Sequence, residues 1–341
     1  MKIGSIVLST NQGLGYLARD FYNSGLFDHI LIKKSIRFQD NPEWFPGARV
    51  IGPRNTDFAN VFDKQDVPLI IDFLSKIDIL FLFEIPFYNN LYKLCREMGV
   101  KVALMPMYES TPFPTEADLY ICPSKLDLKY YQEMYPNRKS VFVPVPVPDQ
   151  ISWKSRQKAE VFVHNAGNGG TLGRNSTKEV IEAMKYVKSP MKLILRTQKI
   201  DFDPGDPRID YRKGTEKFSD LYEEGDVFLF PEKFNGLSLP LQESYASGML
   251  VMTSRRFPNT DWLPDAPLIQ PSQKEQIRMN GISLEKSLFD PKEIASNIDK
   301  WYGKDISKYS LMGREWYNKH SWSSLKEDYL KTLEDLKNEK Y

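Results

Sequence analysis

The sequence predicts an α/β protein built from two domains, each a parallel sheet with helices on both faces. Three observations lead there. Short apolar runs such as Ile77-Asp-Ile-Leu-Phe-Leu-Phe83 and Asp226-Val-Phe-Leu-Phe230 recur along the whole chain and read as buried strands. Helical stretches separate most of them, and that alternation implies parallel sheets. A proline-stiffened segment, Val143-Pro-Val-Pro-Val-Pro148, divides the chain, and its 341 residues suffice for two domains of ordinary size.

Composition narrows the function classes. Apolar residues make up 41%, enough for real cores, and 46 Lys plus Arg against 45 Asp plus Glu leave a net charge of +1. No global basic field exists to hold a nucleic acid by its phosphates, although a local patch remains open. Cys95 and Cys122 lie in apolar surroundings with no metal-ligand spacing, so they read as reduced, buried thiols of a cytoplasmic protein. No apolar run reaches the length of a membrane span, and the N-terminus lacks a basic-then-apolar signal. The aromatic content is 13%; core packing accounts for most of it, and some rings could line an acceptor groove.

The first domain, expected over 1–148, opens with the strand Lys2–Leu8, the loop Ser9–Gly15 and a helix from Tyr16 to Asn23. Gly13-x-Gly15 lacks the third glycine of a dinucleotide fingerprint, so a nicotinamide cofactor is weakly supported. Strands follow at His29–Ile32, Ile77–Phe83, Val100–Leu104 and Leu119–Cys122, with a helix over Asn89–Met98. The loop Met105–Pro112 then lies at the carboxyl edge of the sheet, where open α/β folds bind ligands. Tyr108 and Glu109 in it are candidate acceptor-side residues; the alternative for Glu109 is a solvated loop carboxylate. Ser124 is placed to cap the next helix.

The second domain, expected over 149–305, starts with the strand Glu160–His164 and the glycine-rich loop Asn165–Gly173. Ser176-x-x-Glu179 fits a capping box ahead of a helix. A flexible loop entering a helix N-terminus offers backbone N–H groups and a positive dipole end, so Gly169, Gly170 and Arg174 are candidate diphosphate ligands; a plain surface turn is the alternative. The strand Met191–Arg196 brings Arg196 and Lys199 to the carboxyl edge, where either could help neutralise a diphosphate; a solvated strand end is the alternative. Asp201-x-Asp203 mimics a metal-binding pair but stands in a Pro/Gly-rich connection and is rejected as a site. After the strand at 226–230 comes the loop Glu232–Ser238, then a helix with Pro240 in its first turn, stopped by Gly248 before the strand Leu250–Thr253. Glu243, one turn into that helix, can accept hydrogen bonds from a vicinal diol such as a ribose. Asp290 opens an amphipathic helix, and 306–341 is expected as a terminal helical segment.

Gly236-Leu237, Leu239-Pro-Leu-Gln-Glu243 and Ala246-Ser-Gly248 resemble the nucleotide-sugar motif of GT-B glycosyltransferases, most closely the retaining enzymes of glycosyltransferase family 4. That motif carries two glutamates with seven residues between them. Counting back eight from Glu243 gives Asn235, and the nearest upstream glutamate is Glu232, with ten residues between. Either the loop is longer here, or Asn235 and backbone amides do the first glutamate's work. The family also has a glycine-arginine pair followed six residues later by a phosphate-binding lysine. Gly167 and Asn168 take the pair's positions and Arg174 the lysine's, while an alternative register puts Asn175 there. The loop with Gly13 and Gly15 is similar to the first loop of these enzymes, which faces the interdomain cleft. Pro123-Ser124, the proline segment and His320-Ser-Trp322 have counterparts as well, the last leading a helix back onto the first domain.

The resemblance implies a GT-B fold, two Rossmann-like domains with parallel sheets facing a central cleft. It implies a retaining, metal-independent transfer with no cofactor beyond the nucleoside-diphosphate sugar donor, a UDP-sugar above others. The first domain would hold the acceptor and the second the donor. In the front-face mechanism proposed for this class, the leaving diphosphate oxygen takes the acceptor proton. Arg174, Arg196 and the Gly169-Gly170 amides would stabilise the charge growing on it. Glu243 would orient the ribose, and Asn235, Gly236, Leu237 and Ser238 would hold donor sugar or phosphate. A glycan, a lipid-linked sugar, a protein or a hydroxylated DNA base all fit as acceptor. Two rivals remain: a nucleotide-sugar epimerase on the same fold, and a non-catalytic sugar-nucleotide or DNA-binding module.

Overall fold

The computed structural model describes residues 1–52, 61–110, 116–167, 173–198, 205–213, 218, 220–263, 265–279 and 282–339. The chain divides into two compact units, Met1–Val145 with Trp322–Tyr341, and Pro146–Ser321.

The first unit runs β1 (Ile3–Val7), α1 (Gly13–Asn23), β2 (His29–Lys33), β3 (Arg49–Ile51), α2 (Val67–Leu74), β4 (Ile79–Phe83), α3 (Leu91–Glu97), β5 (Lys101–Met105), β6 (Leu119–Cys122), α4 (Lys125–Met134) and β7 (Lys139–Phe142). Its strands pair in parallel in the order β3-β2-β1-β4-β5-β6-β7. The centre strand shows why its sequence is apolar throughout. Leu80 and Leu82 of β4 enter a core with Ile70, Leu91 and Leu104, while Phe81 and Phe83 face the other way. Successive side chains of a strand point to opposite faces, so a sheet covered on both sides needs apolar residues at every position.

The second unit runs β8 (Val161–Gly167), α5 (Thr177–Ala183), β9 (Lys192–Thr197), β10 (Ile209–Lys213), α6 (Asp220–Glu223), β11 (Val227–Phe230), α7 (Leu239–Ala246), β12 (Leu250–Ser254), α8 (Asn259–Trp262) and β13 (Leu268–Ile269). It continues through β14 (Gln273–Met279), β15 (Ile282–Leu288), α9 (Pro291–Trp301) and α10 (Ser307–His320). Its parallel sheet has the order β10-β9-β8-β11-β12-β13. Val227 and Leu229 of β11 face one core, Phe228 and Phe230 the other. The antiparallel hairpin β14–β15 was not expected. Its signal stands in the sequence, because Asn280-Gly281 between two polar-alternating stretches favours a tight hairpin turn.

The segment after 305 divides between the units. α10 lies so close to α7 that a Cβ on Gly313 would strike the Tyr245 carbonyl oxygen. The last helix, α11 (Trp322–Lys337), belongs to the first unit, where Phe21 meets Trp322 and Tyr329 edge-on at centroid distances of 4.6 and 5.2 Å.

Two local readings are corrected. α1 begins at Gly13 rather than Tyr16, so both glycines stand in its first turn. A Cβ on Gly15 would run into the Thr10 carbonyl oxygen and stand 2.8 Å from the Thr10 nitrogen, whereas one on Gly13 would meet nothing within 4 Å. Gly15 is therefore a packing requirement of helix on loop. Ser176 does not form the expected capping box. It holds a left-handed φ of 54° and makes no side-chain capping bond, and Glu179 pairs with Lys233 at 2.6 Å instead. An N-cap that reaches the helix N–H groups sits in the β region, which this geometry denies. Ser124 caps α4 as expected, accepting from the Asp127 N–H at 3.1 Å.

Gly15→Ala should destabilise the protein by about 1–3 kcal/mol, the usual cost of forcing atoms into a packed contact. Gly13→Ala should change stability by no more than a few tenths of that. Denaturant unfolding of the two variants checks this; equal stabilities would show that the helix does not press on the loop.

Candidate functional site

In both sheets the strand order reverses once, between β1 and β4 and between β8 and β11. At such a point the flanking loops leave in opposite directions and open a crevice at the carboxyl ends of the strands.

In the second unit the described part of the connection after β8, from Gly173 on, and the connection after β11 start from the two strands at that point. Gly169 and Gly170 of the first loop lie outside the described residues, as do Asn168, Lys199, Asp201 and Asp203. Arg174 is described, and it reaches across. Its Nε donates to the Phe234 carbonyl at 3.0 Å, its guanidinium lies 5.2 Å from the Phe234 ring centroid, and Nη2 donates to the Asn235 side-chain oxygen. The Lys233 N–H donates back to the Arg174 carbonyl at 2.8 Å. So Arg174 is directed at the Phe234-Asn235 loop. Below it, His164 joins three elements. Nδ1–H donates to the Leu229 carbonyl of β11 at 2.8 Å, and Nε2 accepts from the Thr177 hydroxyl at the start of α5 at 2.9 Å. Burial pushes its pKa down to about 4, so it stays neutral in this role.

The two candidates for the first-glutamate position stand in different surroundings. Glu232 is fully buried, and its carboxylate accepts from Arg256 at 3.0 Å, Asn259 at 3.1 Å and Asn235 at 3.3 Å. A buried carboxylate so paired is part of the scaffold. Asn235 is half-exposed and held on three sides, by Arg174, by Glu232 and through its carbonyl by Arg256 at 2.7 Å. Gly236 and Leu237 follow, both buried. Ser238 precedes α7, is 7% exposed, and its hydroxyl has no hydrogen-bond partner among the described residues. A buried unpaired hydroxyl beside a helix N-terminus is a place for a ligand oxygen.

Glu243 lies one turn into α7, 6% exposed, and accepts a hydrogen bond from the Tyr222 hydroxyl. Arg196, at the end of β9 and 4% exposed, contacts Asn165 at 3.5 Å and Glu224 at 3.3 Å. Burial, then the charge of Arg212, lowers its pKa from the ordinary arginine range.

Tyr108 and Glu109 belong to the first unit and are buried, so Glu109 is not a solvated loop carboxylate. They pack on the start of α4, where Asp127 accepts from the Tyr108 N–H at 2.8 Å and from the Ser124 hydroxyl. Burial, reinforced by the charge of Glu109, pushes the Asp127 carboxyl up to about 7. Strain collects nearby, since Glu84 and Phe87 after β4 hold φ values of 60° and 61°. Asp127 and Tyr222 carry no motif in the sequence; only the fold brings them to their partners.

Among the described residues no group of three or more His, Cys, Asp or Glu could hold a metal ion, and no helix is long and apolar enough to cross a membrane. No family model matches the chain, and no curated protein sequence does. Solved structures do. HepE of Anabaena, determined with UDP-glucose, matches with a TM-score of 0.68 at 11% identity over 98% of this chain and 100% of that one. A glycosyltransferase from Rickettsia africae ESF-5 gives 0.69 at 12% identity over 98% of each chain. WaaG, a glycosyltransferase involved in lipopolysaccharide biosynthesis, gives 0.61 at 11% over 96% of this chain and 98% of that one. Likeness over whole chains at such low identity shows the fold, and the fold is GT-B.

The Asp127 site gives a pH dependence. An unfolded aspartate titrates near ~3.9, so between there and about 7 the folded chain holds a proton that the unfolded chain has released. Stability from this site is full below the lower value and is lost as pH rises through the upper one. Asp127→Asn should flatten that part of the decline in unfolding midpoint across the window. Superimposable pH profiles for the two proteins would contradict it.

Proposed function

We propose that the chain is a glycosyltransferase that moves a sugar from a UDP-sugar to a hydroxyl acceptor with retention of configuration and without a divalent metal. One observation carries this reading. At the point of reversal in the second sheet, Arg174 bonds Asn235 of the connection after β11, and three residues on the buried Ser238 hydroxyl has no partner among the described residues. HepE, on the same fold, was determined with UDP-glucose, which supports a uridine nucleotide as the donor.

The chemistry needs few groups. As the sugar leaves, negative charge grows on the diphosphate. Arg174, whose guanidinium geometry suits bidentate contact with phosphate oxygens, stabilises that charge, with Arg196 as a second cation of the same unit. The Ser238 hydroxyl donates to a phosphate oxygen, and Glu243 accepts from the ribose diol. Asn235 stands in for the first glutamate, and its clamp by Arg174, Glu232 and Arg256 keeps the loop in one shape for the donor sugar. The diphosphate itself takes the acceptor proton, so no protein base is required. The metal-free transfer follows the GT-B resemblance, and the acceptor is a hydroxyl compound.

A hydrolysis screen with UDP-, GDP- and ADP-sugars tests the reading. UDP should be released from one UDP-sugar, undiminished in EDTA. Release only on adding manganese would overturn the metal-free step, and silence with every donor would overturn the enzyme. Glu243→Ala should weaken UDP binding by about tenfold or more, since a hydrogen bond to a charged group is worth roughly 1.5–3 kcal/mol and a decade of affinity about 1.4. Arg174→Ala should lower kcat by about a hundredfold, the usual effect of removing one preorganised donor. A loss of affinity at full kcat would make Arg174 a binding residue only.

A further inference from the structure

Tyr222 stands behind Glu243 and has no part in the donor site as described above. It is 3% exposed, and its hydroxyl is spent on the Glu243 carboxylate. We propose that Tyr222 is the positioning residue for ribose recognition, its hydroxyl holding the Glu243 carboxylate in place as the acceptor for the vicinal diol of a nucleoside diphosphate. The inference rests on the donor site of the proposed function.

Three features make the pair an aligned device. The first is the anchoring of its backbone. Arg156, 3% exposed, binds four carbonyls with one guanidinium. They are Tyr222 at 2.7 Å, Gly225 at 2.7 Å, Lys154 at 2.9 Å and Ser247. Tyr222 lies in α6 and Ser247 caps α7, so one cation ties the helix that carries the phenol to the helix that carries the carboxylate. The second is the packing of the ring. Phe218 and Phe228 meet it edge-on at centroid distances of 6.1 and 6.0 Å and so pack the ring that carries the hydroxyl. The third is protonation. Burial, then the Glu243 charge, raises the Tyr222 pKa well above the ordinary phenol range, so the hydroxyl remains a donor.

Chemistry gives the pair its meaning. Keeping a carboxylate 6% exposed against a phenol is costly compared with an apolar pair of similar volume. The phenol donates to Oε2 and so restricts the rotation of the carboxylate, which sets where a diol must stand to be accepted. Removing the hydroxyl takes this hold off Oε2, and diol recognition suffers while the rest of the nucleotide site is untouched.

The test is a cycle between protein and ligand. Wild type and Tyr222→Phe are titrated calorimetrically with UDP and with 2′,3′-dideoxy-UDP. Wild type should prefer UDP by about tenfold or more, the worth of a hydrogen bond to a charged group. In Tyr222→Phe that preference should shrink to about two- to threefold, with affinity for the dideoxy nucleotide unchanged. Tyr222→Met fills the same space without a donor and serves if the phenylalanine chain does not fold. An undiminished preference in the variant, or an equal loss for both nucleotides, would overturn the positioning role and leave the donor site standing. A wild type that does not distinguish the two nucleotides would overturn the ribose role of Glu243 and this inference with it.

Discussion

A parallel sheet covered on both faces can expose only the ends of its strands, and the rest of this structure depends on that constraint. The strands β4 and β11 are apolar at every position because each face meets a core. Polar side chains that must meet a ligand are therefore pushed into the connections. Where the strand order reverses, two connections part, and the crevice between them admits a molecule. In the second unit Arg174, ahead of α5, and Asn235, in the connection after β11, meet there in a hydrogen bond.

The crevice is held by groups that do not line it. His164 ties β8, β11 and α5 together as a neutral imidazole. Glu232 and Arg256 fix the loop after β11 from beneath, and Arg156 fastens α6 to α7. Each is a buried polar group with its partners in place, and losing one partner would leave the other uncompensated. Removing such a group is therefore expected to blunt the site as well as destabilise the unit.

The sequence showed the architecture well because continuous apolar runs carry strand signals that need no tertiary knowledge. It also showed the loop Asn235–Ser238 and Glu243, which sit in one contiguous motif. What it hid depends on distance. Glu232 is held by Arg256 and Asn259, 24 and 27 residues downstream. Tyr222 lies 21 residues from Glu243 in a stretch without any motif. Ser176 looked like a cap because a local pattern assumes a local backbone. Here Asn175 is bound to the Ala166 carbonyl at 2.9 Å and Thr177 to His164, so the residue between them takes the left-handed region instead. The β14–β15 hairpin was legible and overlooked, since its signal lies in a turn flanked by polar strands with little apolar character.

A structure of the protein crystallised with UDP tests the central claim most directly. The account predicts the diphosphate between Arg174 and the start of α7, within hydrogen-bond distance of the Ser238 hydroxyl, with the ribose diol on the Glu243 carboxylate. A nucleotide bound elsewhere in the second unit, with Arg174 and Glu243 both out of its reach, would contradict it.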